Sequence, residues 1–188
     1  EIYGGDHTNC LQLYFGHLET VCEGKFRNGH FKGVGLIVAK LFNIISPDVV
    51  YFGQKDLQQV AVINKLIKDL SFNILLRRVP TVREPDGLAL SSRNLRIASE
   101  DRPGAVKFYR ALLTAKDLLI QGATVRKIRQ EAEKLFENDP VNRLEYLELV
   151  DFESFAEIGE YKGQPSLAFC IAGYTRNIRL IDNILIKE

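Results

Sequence analysis

The segment Phe52–Val60, FGQKDLQQV, concentrates hydrogen-bonding side chains in one turn. It follows the apolar run DVVY and precedes AVINKLIKDL, whose apolar residues recur at helical spacing. Lys55 therefore falls where a strand gives way to a helix N-terminus, a place that favours anions. Asp56 suits a sugar hydroxyl or a helix cap, and Gln58 and Gln59 suit ligand hydroxyls or solvent. The turn alone fits both a nucleotide site and an ordinary helix start.

A second polar stretch, LSSRN, covers Leu90–Asn94 and follows a loop that contains Gly87. Serine hydroxyls and the fork of arginine donors suit phosphate oxygens. The alternative is a turn between domains in which Asn94 acts as a cap. If both polar turns lie at one edge of one sheet, a nucleotide-phosphate site is the better interpretation.

A third stretch, CEGKFRNGHFKGV, places Glu23 and Arg27 four residues apart, a spacing that permits a helical ion pair. His30 lies between a glycine and a phenylalanine. By themselves these three residues are interpreted as a surface pair and a packed imidazole, and the alternative is a polar loop that lines the same cleft. His7 and His17 have no partners at metal-ligand spacing and are expected to be structural.

The first half of the chain alternates between helical and strand patterns. FKGVGLIVAKLFNII predicts a helix, SPDVVYFG a short buried strand, LQQVAVINKLIKDL a second helix and FNILLRRVPTVRE a second strand. Such a β-α-β order predicts a parallel α/β sheet, in which ligands bind at the carboxyl ends of the strands. FGQKD and TVREPDGLALSSRN both fall at such ends.

The second half predicts an α-α-β-β-β module. Ser99 is the expected N-cap of a helix that runs to about Ile120, and Thr124 the cap of the next. RLEYLELVD, SLAFCIAGYT and RLIDNILIK predict three strands. We therefore expect two domains, a nucleotide-binding remainder at residues 1–96 and a small α+β domain at 97–188.

Composition indicates a globular protein of the cytoplasm. The 188 residues carry 25 basic and 24 acidic side chains, so neither nucleic acid nor a membrane surface is the expected partner. The three cysteines are scattered, which favours reduced packing residues over disulfides or zinc ligands. No run is long enough to span a membrane, and the first residues are not a signal peptide. The chain has no methionine, so we expect it to begin part-way through a gene product.

Four motifs in order, GKFRNGHFKGV, FGQKDLQQV, VPTVREPDGLALSSRN and RLIDN, resemble pantothenate synthetase over nearly the entire chain. The resemblance implies a Rossmann-like nucleotidyltransferase sheet, of which this chain holds the C-terminal part, followed by a small α+β domain. It implies ATP-dependent condensation of pantoate with β-alanine through a pantoyl-adenylate, with release of AMP and pyrophosphate. ATP and Mg²⁺ are the implied cofactors, and a cytoplasmic homodimer is the implied assembly.

The resemblance also implies roles for the first polar turn. Lys55 contacts nucleotide phosphate and takes part in catalysis, while Gly53 and Asp56 meet the ribose. Gln59 holds pantoate, with Phe52 against its apolar side.

For the second turn, the resemblance implies that Val82 offers backbone groups to adenine. Ser91, Ser92 and Arg93 form a catalytic phosphate-binding loop next to Leu90, the counterpart of the KMSKS loop in related synthetases. Glu23, Arg27 and His30 match positions near the cleft, and no metal ligand is assigned.

The sequence departs from the family pattern at Asn28, Gln54, Leu57 and Leu90, where proline, glutamate, an aromatic residue and methionine are usual. It also lacks the family's HIGH-type histidine motif and its pantoate motif with asparagine and glutamine. We therefore expect these 188 residues alone to be inactive. The alternatives are an inactive C-terminal unit for folding and dimerisation, or another nucleotidyltransferase such as a cytidylyltransferase, against which VPTVREPDGLALSSRN argues.

Overall fold

A computed structural model describes residues 11–187. The chain forms two compact units, one up to Val79 and the other from Pro80. His7, expected to be structural, lies outside the described residues.

The first unit contains a β-α-β core, as the sequence predicted. Its strands β1 and β2 are parallel, with Val49 opposite Leu75 and Gly53 opposite Val79. Helices α1 to α3 and two 3₁₀ turns complete the unit. In chain order the elements are a 3₁₀ turn Gly16–Glu19, α1 Cys22–Phe26, α2 His30–Ile45, β1 Val49–Gly53, a 3₁₀ turn Gln54–Asp56, α3 Leu57–Asp69 and β2 Leu75–Val79.

The prediction that SPDVVYFG forms a buried strand was wrong in one respect. The strand exists, but its residues alternate between exposed and half-buried, and Tyr51 is 70% exposed. Both strands of this two-stranded sheet alternate in the same way, so one face of the sheet is exposed among the described residues. β2 also ends before Pro80, because proline has no N–H to donate to a strand partner.

α3 supplies most of the apolar core of the first unit. Eight of its residues are buried, and Val62 and Ile63 are fully inaccessible. α2 packs on α3 less completely, since only three of its residues are buried and Ile45 is 64% exposed. The ring of Phe42 meets that of Phe72 edge-on at 5.4 Å, which closes this layer.

The second unit confirms the predicted α-α-β-β-β order. β3, β4 and β5 form an antiparallel sheet in that order, and α4 and α5 bury their apolar faces against it. The predicted cap of α5 is confirmed, because Thr124 accepts a hydrogen bond from the backbone N–H of Lys127 at 3.3 Å. The elements are a 3₁₀ turn Ser92–Arg96, α4 Arg102–Ile120, α5 Val125–Phe136, β3 Asn142–Asp151, β4 Leu167–Thr175 and β5 Ile178–Leu185.

Ser99 does not cap α4, contrary to the prediction. The helix begins at Arg102, and Asp101 occupies the cap position without a capping side-chain bond. Its buried carboxylate instead accepts a hydrogen bond from Arg176 at 2.6 Å. A long-range partner has thus replaced the local cap that the sequence suggested.

The division between the units lies at Val79/Pro80, whereas the sequence indicated 96/97. The segment in between is fastened to the second unit by side chains. Arg83 pairs with Asp182 on β5, and Arg102 on α4 binds Glu84 and Asp86. These contacts join residues far apart in sequence, which local patterns do not reveal.

Cys22 and Cys170 are buried, consistent with packing residues, and Cys10 lies outside the described residues. No helix within residues 11–187 has the length and apolar character needed to cross a membrane.

Candidate active-site elements

The FGQKD turn leaves the carboxyl end of β1 and enters α3, as the sequence predicted. Lys55 is largely buried, with a side-chain exposure of 20%, and its Nζ lies 4.0 Å from a carboxylate oxygen of Asp56. Asp56 is about half exposed and makes no capping hydrogen bond to α3. The capping alternative for Asp56 therefore finds no support, and a cation stands beside a helix N-terminus.

Gln58 is neither a ligand group nor a solvated residue. It is 4% exposed, and its Nε2 donates to the carbonyl oxygens of Leu18 and Val21 at 2.8 and 2.9 Å. Its Oε1 accepts the backbone N–H of Glu23 at 2.9 Å. Gln58 therefore fastens the start of α1 to α3.

Gln59 and Phe52 are half-buried, and Gly53 is exposed at the end of β1. Because consecutive helical residues point about 100° apart, the inward orientation of Gln58 turns Gln59 to a different side of α3. The side chain of Gln59, assigned to pantoate, therefore lies outside the buried face of α3.

Glu23, Arg27 and His30 lie around α1 and the first residue of α2. The predicted ion pair is confirmed, with Arg27 Nη1 3.8 Å from Glu23 Oε2. Glu23 is buried at 7% exposure, which is unusual for a surface pair. The His30 ring centre lies 5.1 Å from that of Phe31, in accord with a packed imidazole.

In the second unit, residues 83–94 form a closed loop. The N–H of Gly87 donates to the carbonyl of Glu84 at 2.8 Å, and the N–H of Glu84 donates to Leu88 at 2.9 Å. Gly87 has φ +95°, a left-handed conformation that favours glycine. A β-carbon there would also lie 2.6 Å from the Tyr109 ring. The loop therefore requires glycine for two reasons.

A carboxylate–arginine cluster supports the loop from the α4 side. Arg102 donates to Asp86 and to Glu84, each at 2.6 Å. Hydrogen bonds from Asn94 and then Arg102 hold the pKa of Glu84 below its ordinary value, and the bond from Arg102 does the same for the pKa of Asp86. The same two carboxylates raise the pKa of Arg102. All three groups therefore remain charged at neutral pH.

Asn94 is not a helix cap. It is 8% exposed, and its amide donates to Glu84 at 2.8 Å and to the carbonyl of Ala89 at 3.0 Å. It therefore ties the end of the loop to its beginning.

Ser91, Ser92 and Arg93 lie near the end of this loop, where a 3₁₀ turn begins. The Oγ of Ser91 accepts the backbone N–H of Arg93 at 3.3 Å, which leaves its hydroxyl proton for a ligand oxygen. Ser92 is exposed, and Arg93 is half-buried with Nη1 3.4 Å from the carbonyl oxygen of Arg179.

This donor set fits phosphate. Hydroxyls and a guanidinium with several remaining donors match the oxygens of a nucleotide tail. The side chains of Val82 and Leu90 are exposed, and the N–H of Leu90 donates to the carbonyl of Val82 at 2.9 Å. That carbonyl has a second lone pair, which is compatible with the predicted contact to a base.

The described residues contain no cluster of three histidine, cysteine or carboxylate side chains able to hold a metal ion. Mg²⁺ in phosphoryl-transfer sites is commonly held by substrate phosphates with one or two carboxylates, so a protein cage is not required.

Sequence reasoning missed three residues that build the loop, Arg83, Arg102 and Asp182, and it interpreted Asn94 only as a cap. Arg83 and Asp182 lie in the motifs TVREPDG and RLIDN, yet their types and spacing gave them no role. A buried aspartate in a strand and an arginine before a turn were the available signals.

Comparison with known proteins identifies the family of this chain. A family model described as pantoate-beta-alanine ligase matches residues 1–185. The pantothenate synthetase of Azobacteroides pseudotrichonymphae is 41% identical over 187 residues, which is 98% of this chain and 65% of that protein. That of Caldicellulosiruptor saccharolyticus is 42% identical over 165 residues, 87% of this chain and 58% of that protein. The chain thus spans about three-fifths of the length of these relatives.

Solved structures show the same fold. The crystal structure of pantothenate synthetase from Thermus thermophilus matches with a TM-score of 0.90 and 36% identity, covering all of this chain and 67% of that one. The pantoate-beta-alanine ligase from Francisella tularensis, complexed with beta-gamma ATP and beta-alanine, matches with a TM-score of 0.68 and 31% identity, covering 95% and 59%. The predicted nucleotidyltransferase-type α/β sheet followed by an α+β module is confirmed, and the chain belongs to the pantoate–β-alanine ligase family.

Proposed function

We propose that the gene product containing this chain joins pantoate to β-alanine at the expense of ATP, through a pantoyl-adenylate. The observation that carries the proposal is the anchored Ser91–Arg93 loop in a chain whose family match spans residues 1–185. The Francisella tularensis relative, complexed with beta-gamma ATP and beta-alanine, supports the choice of substrates.

In the first step, a carboxylate oxygen of pantoate attacks the α-phosphorus of ATP. The bond from that phosphorus to the bridging oxygen breaks, and pyrophosphate leaves. Lys55, Ser91, Ser92 and Arg93 stabilise the negative charge that gathers on the phosphoryl oxygens, because fixed donors lose little energy to reorganisation. Mg²⁺, when bound with the triphosphate, neutralises further charge.

In the second step, the amine of β-alanine attacks the acyl carbon, AMP leaves, and the nitrogen loses a proton. Catalysis here consists largely of holding the amine against the adenylate. Gln59 and Phe52 hold pantoate, Gly53 and Asp56 contact the ribose, and the backbone of Val82 contacts adenine. Leu90 lies beside the nucleotide.

Three further assignments belong to the same proposal and are implied by the resemblance. Glu23, Arg27 and His30 lie near the substrate cleft, the protein is a homodimer, and it works in the cytoplasm. Sedimentation of the purified gene product tests the dimer.

The test of the reaction is the identity of the released nucleotide. The gene product should form AMP and pyrophosphate only when ATP and pantoate are both present, and β-alanine should convert the intermediate to pantothenate. Release of ADP and phosphate would contradict the adenylate route. Turnover of CTP with an alcohol phosphate, and none with pantoate, would favour a cytidylyltransferase instead.

A further inference from the structure

Asp182 is a buried carboxylate on β5 within the RLIDN motif, and it faces an arginine 99 residues earlier. Its Oδ2 accepts Nη1 of Arg83 at 2.6 Å, and its Oδ1 accepts Nη2 at 3.0 Å. This is a two-bond pairing of planar groups, which fixes orientation as well as distance. The side chains are 7% and 19% exposed, so little water competes.

Arg83 has further contacts that shape the loop. Its Nη1 donates to the carbonyl of Gly87 at 3.1 Å, and its Nη2 donates to the carbonyl of Asn183 at 3.2 Å. The guanidinium carbon lies 3.8 Å from the centre of the Tyr109 ring. The arginine therefore joins the turn at Gly87 to β5 and to α4.

The anchoring continues to the candidate phosphate loop. Arg83 forms an isolated bridge with Ala89, whose carbonyl accepts the amide of Asn94. Arg93 in turn donates to the carbonyl of Arg179, on the same strand as Asp182. β5 thus holds the loop at its beginning through Asp182 and at its end through Arg179.

We propose that Arg83 and Asp182 are positioning residues for phosphoryl transfer, because their paired planes set the path of the backbone that carries Ser91, Ser92 and Arg93. This inference rests on the proposed function for its effect on rate, and on the geometry alone for its effect on the loop. Small errors in the placement of catalytic groups slow reactions by up to about 100-fold.

A purely stabilising pair would behave differently. Replacing both members of a buried ion pair by apolar residues of similar size is often neutral for stability. Arg83→Met combined with Asp182→Leu removes both charges together, although the backbone groups of Gly87 and Asn183 that they bind lose these partners. We expect this double variant to fold. It should lose the two hydrogen bonds that fix the position of the loop on β5.

The experiment uses the gene product that contains this chain. Single-turnover formation of AMP at saturating ATP and pantoate should slow about 10- to 100-fold in the double variant. Hydrogen exchange over residues 84–94 should become faster. Asp182→Asn, which retains the shape but not the charge, should show an intermediate effect if it folds.

Asp139→Asn is the matched control. Asp139 is a half-buried carboxylate of the second unit, with a side-chain exposure of 11%, and is paired with Lys107, but none of its hydrogen bonds reaches the loop. It should lower stability and leave both the AMP rate and exchange in residues 84–94 unchanged. An equal slowing in this control would overturn the positioning role.

A double-mutant cycle with Arg93→Ala separates action through the loop from an independent effect. The cycle compares Arg93→Ala, the Arg83→Met/Asp182→Leu variant and the variant that combines all three changes. If Arg83 and Asp182 act through Arg93 and its neighbours, the combined variant should slow AMP formation by less than the product of the two separate slowing factors. Fully multiplicative effects, or a double variant with unchanged rate and exchange, would overturn the proposal. If the unaltered protein forms no AMP while loop exchange still responds, the proposed function fails and the positioning of the loop stands.

Discussion

The side chain of Gln58 accepts the backbone N–H of Glu23 at 2.9 Å, across 35 positions of the chain. Two further bonds from the same amide reach Leu18 and Val21. All three bonds are made by a side chain that is 4% exposed. One glutamine of the FGQKDLQQV turn, Gln58, therefore serves structure, whereas contact of its neighbour Gln59 with pantoate stays a prediction.

Gln58→Leu should lower the free energy of unfolding, because buried backbone groups lose their partners at about 1–3 kcal/mol each. Gln59→Leu is the matched control, since Gln59 is half-buried on the same helical turn. It should retain stability and lose affinity for pantoate. Denaturant unfolding and steady-state kinetics of both variants distinguish the roles, and equal stability of the two would contradict this assignment.

Lys55→Ala should slow adenylation by about 100- to 1,000-fold, as expected when one preorganised group is removed from a developing charge. The fold should persist. Lys65→Ala provides the control, because Lys65 is 41% exposed and pairs with Asp69 at 2.8 Å on α3. Single-turnover AMP formation in the gene product checks the rate. Unchanged adenylation in Lys55→Ala would assign this lysine to the helix terminus.

The order of helices and strands was predictable from the sequence because apolar spacing and caps such as Thr124 act within a few residues. The predicted cap at Ser99 was wrong because Asp101 is engaged by Arg176, 75 positions away. The role of Gln58, and the pairing of Arg83 with Asp182, depend on tertiary contacts that spacing does not reveal.

The candidate site was predictable to the extent that its residues stand in local motifs. The turn Gln54–Asp56 follows β1 directly, and Ser91, Ser92 and Arg93 lie at the end of the loop after β2, as expected. The supports of the loop were not found, because Arg102 and Asp182 contact it from distant positions in the sequence, and the RLIDN motif does not by itself indicate a partner for Asp182. The burial of β1 was overestimated because its apolar residues do not indicate whether other elements pack against both faces of the strand.

Gly87→Ala should destabilise the second unit by about 1–3 kcal/mol from backbone strain alone, since φ is +95°. Contact with Tyr109 adds to this, because the new β-carbon would lie 2.6 Å from the ring. Gly122→Ala separates the two effects, because Gly122 has φ +86° but a β-carbon there would meet nothing within 4 Å. The midpoint of thermal unfolding should be lower for Gly87→Ala than for Gly122→Ala. Equal decreases in the two variants would exclude a contribution from contact with the Tyr109 ring.

Acid should destabilise the second unit through Asp139. Burial raises the pKa of its carboxyl, but bonds from Lys107 and from the N–H groups of Asn142 and Val141 outweigh this and hold the pKa below the ordinary 3.8. A group whose folded pKa is depressed contributes stability above its unfolded pKa and loses that contribution as pH falls through its folded pKa. The contribution is therefore complete at neutral pH and declines below pH 3.8.

Asp139→Asn tests this dependence, because the amide cannot titrate. The variant should be less stable than the unaltered protein at pH 7, and the two should converge as the pH falls below 3.8. Urea unfolding at several pH values measures the difference. A difference that stays constant down to pH 2 would contradict the role of the carboxylate.

A polypeptide of these 188 residues, produced alone, should self-associate and show no ligase turnover. Val49, Tyr51 and Leu75 are exposed by 38%, 70% and 48% on a sheet of two strands, and exposed apolar groups of this kind favour association. Turnover is not expected, because the resemblance assigns triphosphate contacts to a histidine motif that this sequence lacks. Light scattering and an assay for pantothenate check both points.

Val49→Lys with Leu75→Glu places opposite charges on directly paired positions and should reduce association without changing the fold. An inactive monomer would contradict the association, and a monomer with steady turnover would contradict both expectations.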